Sequence, residues 1–134
     1  MNFQRSIDEG YVKPIPRDNI RAKSLAESSN EAIKAARTID LKAGMKKTIL
    51  RELYEGLRQY FEAIGYARGY KFLSHESITH FIRDILHDES SSKLFDRYRK
   101  LRNGINYYGK DISMETVKKA LKEIPSLINK TKNQ

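Results

Sequence analysis

The chain of 134 residues has the length of one domain that can bury a core without crosslinks, and its lack of cysteine excludes disulfides, thiol nucleophiles and thiolate metal sites. Lys and Arg number 26 against 17 Asp and Glu, a formal charge of +9 with a pI near 9.7; this balance suits a protein that meets polyanions, although abundant Lys and Glu also serve stability in hot habitats. The N-terminus lacks the apolar run of a signal peptide, and no stretch approaches the roughly eighteen apolar residues of a membrane span, so a soluble cytoplasmic protein is expected.

Pro14 and Pro16 restrict the residues before them to extended conformations, which predicts a mostly irregular arm over residues 1–16. From Arg17 onward Ile20, Leu25, Ala26, Ala32, Ile33, Ala36 and Ile39 recur at three- and four-residue spacings, the pattern of an amphipathic helix. Its alanines permit close approach of a neighbour. A second helix follows the break at Asp40 to Gly44, with Ile49, Leu50, Leu53, Tyr54, Leu57, Tyr60, Phe61 and Ile64 inward, and runs out between Gly65 and Gly69. Ser74 is placed to cap a third, whose inner face is Ile78, Phe81, Ile82, Ile85 and Leu86. The segment HDESSS then offers Ser91 or Ser92 as the cap of a fourth helix carrying Leu94, Phe95, Tyr98, Leu101 and Ile105, weakened at Gly104 and Gly109. Ser113 caps a fifth, with Val117, Ala120, Leu121, Ile124 and Leu127 on one face and an interruption or kink expected at Pro125. No strand alternation and no internal repeat is visible. The expected fold is therefore all-α, an up-and-down bundle of four to five helices over residues 17–134.

The stretch RKLRNGINYYGKDIS, residues 99–113, ends the fourth helix with concentrated positive charge; residues 91–110 hold six Lys or Arg and a single Asp. The order of two long helices, the phrase SHESITHFI after a glycine-bearing turn, and the Arg-Asn pair near the end of a charged helix resemble the HEPN domain, the higher eukaryote and prokaryote nucleotide-binding family. The resemblance spans most of residues 17–130. It implies a helical domain that dimerises and binds RNA or a nucleotide, in some relatives as a metal-independent endoribonuclease of toxin-antitoxin or defence type. It also implies, as an alternative, a non-catalytic helical partner of a small nucleotidyltransferase. The family motif is an Arg, a polar residue and then a His some four to six residues after the Arg. Arg102 and Asn103 match its first half, whereas Tyr107, or Tyr108 at the longer spacing, stands where His is expected.

That departure bears on chemistry. Activation of a ribose 2′-hydroxyl requires a proton acceptor near neutrality, and imidazole titrates at about 6.5 while the tyrosine phenol titrates at about 10. Arg102 can still clamp phosphate through paired hydrogen bonds, so binding survives the substitution more readily than cleavage. The catalytic candidates on this reading are Arg102, Asn103 and Tyr107, and the nucleic-acid-binding candidates are Arg97, Arg99, Lys100, Arg102, Tyr108 and Lys110. On a straight helix Tyr107 lies ~140° around from Arg102, so a bend at Gly104 or a second protomer is expected to bring them to one ligand.

Other patterns read as structural. His75, His80 and His87 lack the four-residue spacing of helical metal ligands, so neither a metal nor a cofactor is expected, and His75 belongs near the Ser74 cap. GYARGY has no preceding strand and no Lys-Ser/Thr, unlike a phosphate-binding loop. Tyr54 and Phe61, a heptad apart, suit core packing, and Glu52, Glu55 and Glu62 suit ion pairs along the second helix.

Overall fold

The computed structural model describes residues 1–132 and shows an all-α bundle with a minimal two-stranded antiparallel sheet added. Its elements are α1 (Phe3–Asp8), β1 (Val12–Pro14), α2 (Asn19–Thr38), a 3₁₀ turn (Leu41–Ala43), α3 (Lys46–Arg68), β2 (Tyr70–Phe72), α4 (His75–Asp84), α5 (Glu89–Tyr108) and α6 (Met114–Lys132). No helix among the described residues is long and apolar enough to cross a membrane.

The N-terminal sixteen residues differ from the irregular arm expected of them. Asn2 caps α1 by accepting from the Arg5 amide, and the chain then extends through β1 to pair antiparallel with β2, Val12 opposite Phe72 and Pro14 opposite Tyr70. The prolines do enforce extension. What they could not announce is the partner strand nearly sixty residues away, which supplies the hydrogen bonds that make the extension regular. Phe3 seals the junction edge-on against Tyr70 and Phe81 at 5.1 and 5.5 Å, while its amide donates to Asp84 at 2.8 Å.

The central element is α3, which packs on α2, α4, α5 and α6. Its apolar residues recur so densely that Ile49, Leu50, Leu53, Tyr54, Leu57 and Phe61 are all essentially inaccessible. Gly56 allows α2 to approach: Ser29 donates to the Gly56 carbonyl at 2.6 Å, and a Cβ there would lie 2.7 Å from Ile33 Cδ1. The helix continues past Gly65 and ends at Gly69, whose φ of +89° supplies the left-handed C-terminal turn.

Ser74 caps α4 by accepting from the Ser77 amide, and Ser113 accepts from Thr116 at the start of α6. The α5 cap is Asp88, with neither Ser91 nor Ser92 in that role; both serines lie inside the helix, and the Ser91 amide and hydroxyl donate to Asp88. At the first long helix Asp18 is the cap and Ile20, expected inward, is 87% exposed because the packed face begins only further along. The helical assignment of α6 runs unbroken through Pro125.

Candidate functional site

Three elements converge beside the C-terminal half of α5. On α3, Arg51, Tyr54 and Arg58 follow one another at helical spacing on one side. On α5, Arg99, Arg102, Asn103 and Asn106 do the same, and Arg51 donates to Asn106 across the two helices at 2.7 Å. Because Ser74 fixes the start of α4, His75 is its first residue, and its Nδ1 lies 3.1 Å from the Tyr54 hydroxyl.

Tyr54 is the hinge of the cluster. Its ring is buried to 1% exposure, and the Arg102 guanidinium lies over it at 5.6 Å. The same guanidinium is 5.9 Å from the Tyr107 ring, and one of its nitrogens donates to Asn103 Oδ1 at 3.3 Å. Arg102 and Tyr107 thus meet within one chain, although α5 is helical throughout Gly104. The expected bend or second protomer is unnecessary for this contact, because the long Arg side chain covers the arc between them.

The charges are unevenly compensated. Arg58 is gripped by Glu55 and Glu62, and Arg99 binds Asp96 through two nitrogens at 2.8 and 3.0 Å. Among the described residues Arg102 forms no ion pair with a carboxylate, although it is half-buried, and Arg51 forms none either. Burial pushes the His75 imidazole down to about 4, and the nearby Arg58 and Arg102 push in the same direction, so the ring is neutral near pH 7. Burial raises the Tyr54 phenol well above its ordinary value against the pull of Arg102, Arg58 and Arg99, so it stays protonated.

The residues singled out from sequence therefore separate into groups. Arg102, Asn103 and Tyr107 stand together with Tyr54 and His75, and Tyr107 is 69% exposed beside them. Tyr108, 76% exposed, is free for contact with a ligand. Arg99 is turned toward Asp96, and Lys100 joins the same carboxylate at 3.0 Å. Arg97, Lys100 and Lys110 line a separate groove between α5 and α6. His75 was the residue sequence reasoning did not connect to Arg102. The available signal was indirect: a buried Tyr on α3 needs a partner for its hydroxyl, and the His at a well-marked helix start supplies it. No group of three or more His, Asp or Glu among the described residues could hold a metal ion.

Chemically, the cluster offers a guanidinium for an anion, a neutral imidazole hydrogen-bonded to a neutral phenol, and an exposed aromatic face. Comparison with protein-family models and with curated protein sequences finds no match.

Proposed function

We propose that the chain is a HEPN-like protein that binds RNA or a nucleotide, with the phosphate taken by Arg102. The observation that carries this reading is a half-buried guanidinium without a carboxylate partner among the described residues, held in place by Tyr54 and opening beside an exposed aromatic ring. Planar guanidinium matches phosphate through two parallel hydrogen bonds, Asn103 can donate a further one, and Tyr107 can stack on a base. Arg51 adds, on the flank, a second cation without a carboxylate partner among the described residues. In a homodimer of the kind the resemblance implies, two such sites would face a common strand. Ultraviolet crosslinking of bound RNA followed by peptide mass mapping is expected to mark Tyr107; crosslinks confined to peptides outside residues 99–113 would refute the placement.

His75 favours a second reading, a metal-independent endoribonuclease. With Nδ1–H donating to the Tyr54 oxygen, Nε2 of the neutral imidazole can accept the 2′-hydroxyl proton as that oxygen attacks phosphorus, the bound phosphate offsetting the cations that lower the ring's basicity; the 5′-oxygen then departs with a proton drawn from water, leaving a 2′,3′-cyclic phosphate. Arg102 would neutralise the added negative charge on phosphorus. Incubation with structured RNA in excess EDTA tests this. Cyclic-phosphate ends made by the wild type and lost in both Arg102→Ala and His75→Asn support it, and intact RNA beside folded protein leaves the binding reading alone.

A further inference from the structure

The groove between α5 and α6 plays no part in the Arg102 cluster. The two helices run antiparallel, since Lys130 reaches Asp88 and Ser90 at 3.5 and 3.1 Å, and Glu123 takes hydrogen bonds from Arg97 and Tyr98 at 2.5 and 2.7 Å. Both pack on α3 more closely than on one another, which leaves a cleft above it. The Arg97–Glu123 bridge divides this cleft into cavities of about 450 and 500 Å³.

Its floor is aliphatic. Leu94 and Leu101 are half-buried and, one heptad apart, lie ~10 Å from each other on the same face of α5, while Leu127 faces Leu94 from α6. Gly104 extends the floor by leaving room for the Lys110 stem, whose Cδ would lie 3.3 Å from a Cβ there. Around this floor stand Lys93, Arg97, Lys100, Lys110, Lys119 and Lys130, against Glu123 and Asp111 as the carboxylates in the lining. Four of these cations are paired, Lys93 with Glu89, Arg97 with Glu123, Lys100 with Asp96 and Lys130 with Asp88, but the three lysines are 78%, 70% and 51% exposed, and such pairs contribute little and exchange readily.

We infer that this groove docks an acidic amphipathic helix of a partner protein. Two leucines at heptad spacing between basic walls match a helix that presents apolar anchors one heptad apart and carboxylates on either side. At this groove a second copy of the chain, itself of formal charge +9, complements the basic walls less well than an acidic helix does, so a homodimer would form on another face. An RNA strand is a poorer fit than at Arg102, since the only aromatic ring in the lining, Tyr98, is 2% exposed and offers no face for stacking.

The test uses a synthetic helical peptide of about 18 residues, long enough to hold a helix, with leucines at heptad spacing and flanking glutamates. Its partners are a scrambled peptide of equal composition and a fluorescent single-stranded oligoribonucleotide. The patterned peptide is expected to bind the full chain, to shift the methyl resonances of Leu94, Leu101 and Leu127, and to weaken by about tenfold or more in Lys93→Glu/Lys119→Glu, whose exposed positions spare the core. Arg102→Ala is expected to leave peptide affinity unchanged, so loss of RNA binding and loss of peptide binding are separable. Equal binding of the scrambled peptide, or indifference to the charge reversal, would overturn the proposal. Displacement of the peptide from these methyls by the oligoribonucleotide, with the same dependence on Lys93 and Lys119, would overturn it by assigning the groove to RNA.

Discussion

Replacement of His75 by Asn keeps a hydrogen-bonding group near Tyr54 but removes the titrating ring, and its consequence for stability can be worked out from the surroundings of that ring. Burial first, then Arg58 and Arg102, with a smaller push from Arg99 and an opposing one from Glu55, hold the folded imidazole down at about 4. An imidazole in the unfolded chain takes up its proton at about 6.5. Between these values the unfolded state binds more protons than the folded one, so stability falls as pH falls through this window and levels off below about 4. At about 1.36 kcal/mol per pH unit the gap sets an upper bound of ~3.4 kcal/mol. The ring is only partly buried, and solvent screening reduces this to ~1–2 kcal/mol. In a chain of this length that amounts to a loss of roughly 4–8 °C in Tm between pH 7 and pH 4. His80 acts in the same direction: burial, Arg83 and the N-terminal amine lower it against Glu76 and Asp84, and both its ring nitrogens are buried without a hydrogen-bond partner among the described residues. The His75 contribution is therefore the difference between wild type and His75→Asn in calorimetry across pH 4–7. Identical pH profiles for the two proteins, or an NMR titration placing His75 near 6.5, would refute the reasoning.

Tyr54→Phe removes the hydroxyl that holds His75 Nδ1 but keeps the ring beneath Arg102; it should alter the His75 ring nitrogen resonances, cost ~1 kcal/mol in urea unfolding, and leave RNA affinity within about threefold. Gly56→Ala should destabilise the α2–α3 contact by ~1–3 kcal/mol despite the better helix propensity of alanine, because the new methyl meets Ile33 at 2.7 Å and the Ser29 carbonyl at 3.1 Å; a higher Tm would contradict the packing described. Asp84→Ala withdraws the acceptor of the Phe3 amide and the partner of Arg83, so limited proteolysis should cut residues 1–11 faster while the remaining bundle keeps its helical circular dichroism.

The helices were legible where burial imposes a period. In α3 and α4 the inward positions Leu50, Leu53, Leu57, Phe61, Ile78, Phe81 and Ile82 are the residues found in the core, and the Ser74 and Ser113 caps act where their positions suggested. The boundary of α5 shifted because Asp88 and the following serines are all competent caps, and the carboxylate accepts both the amide and the hydroxyl of Ser91. The strand pair was hidden because three-residue strands carry too little alternation to register, and their pairing joins distant segments. At the candidate site, Arg102, Asn103 and Tyr107 share one helix; the family resemblance grouped them, whereas helical spacing alone set Tyr107 ~140° around from Arg102. His75 and Tyr54 come from separate helices, and only the packing of α4 and α5 on α3 joins them to Arg102. The cation cluster from Arg97 to Lys110 read as a single surface in sequence, but helical geometry distributes it between the Arg102 cluster, the Asp96 contacts and the α5–α6 groove.

The most direct measurement of the central claim is the equilibrium affinity of a short structured RNA across a salt series for wild type, Arg102→Ala and Arg83→Ala. Arg83 is an arginine already held by Asp84 and serves as the charge-matched control. The account predicts that Arg102→Ala weakens binding by about tenfold or more and lowers the dependence of log K on log salt by about one, while Arg83→Ala changes neither by as much. Equal losses in the two variants would reduce Arg102 to one surface charge among many, and unchanged affinity in Arg102→Ala would contradict phosphate binding at this site.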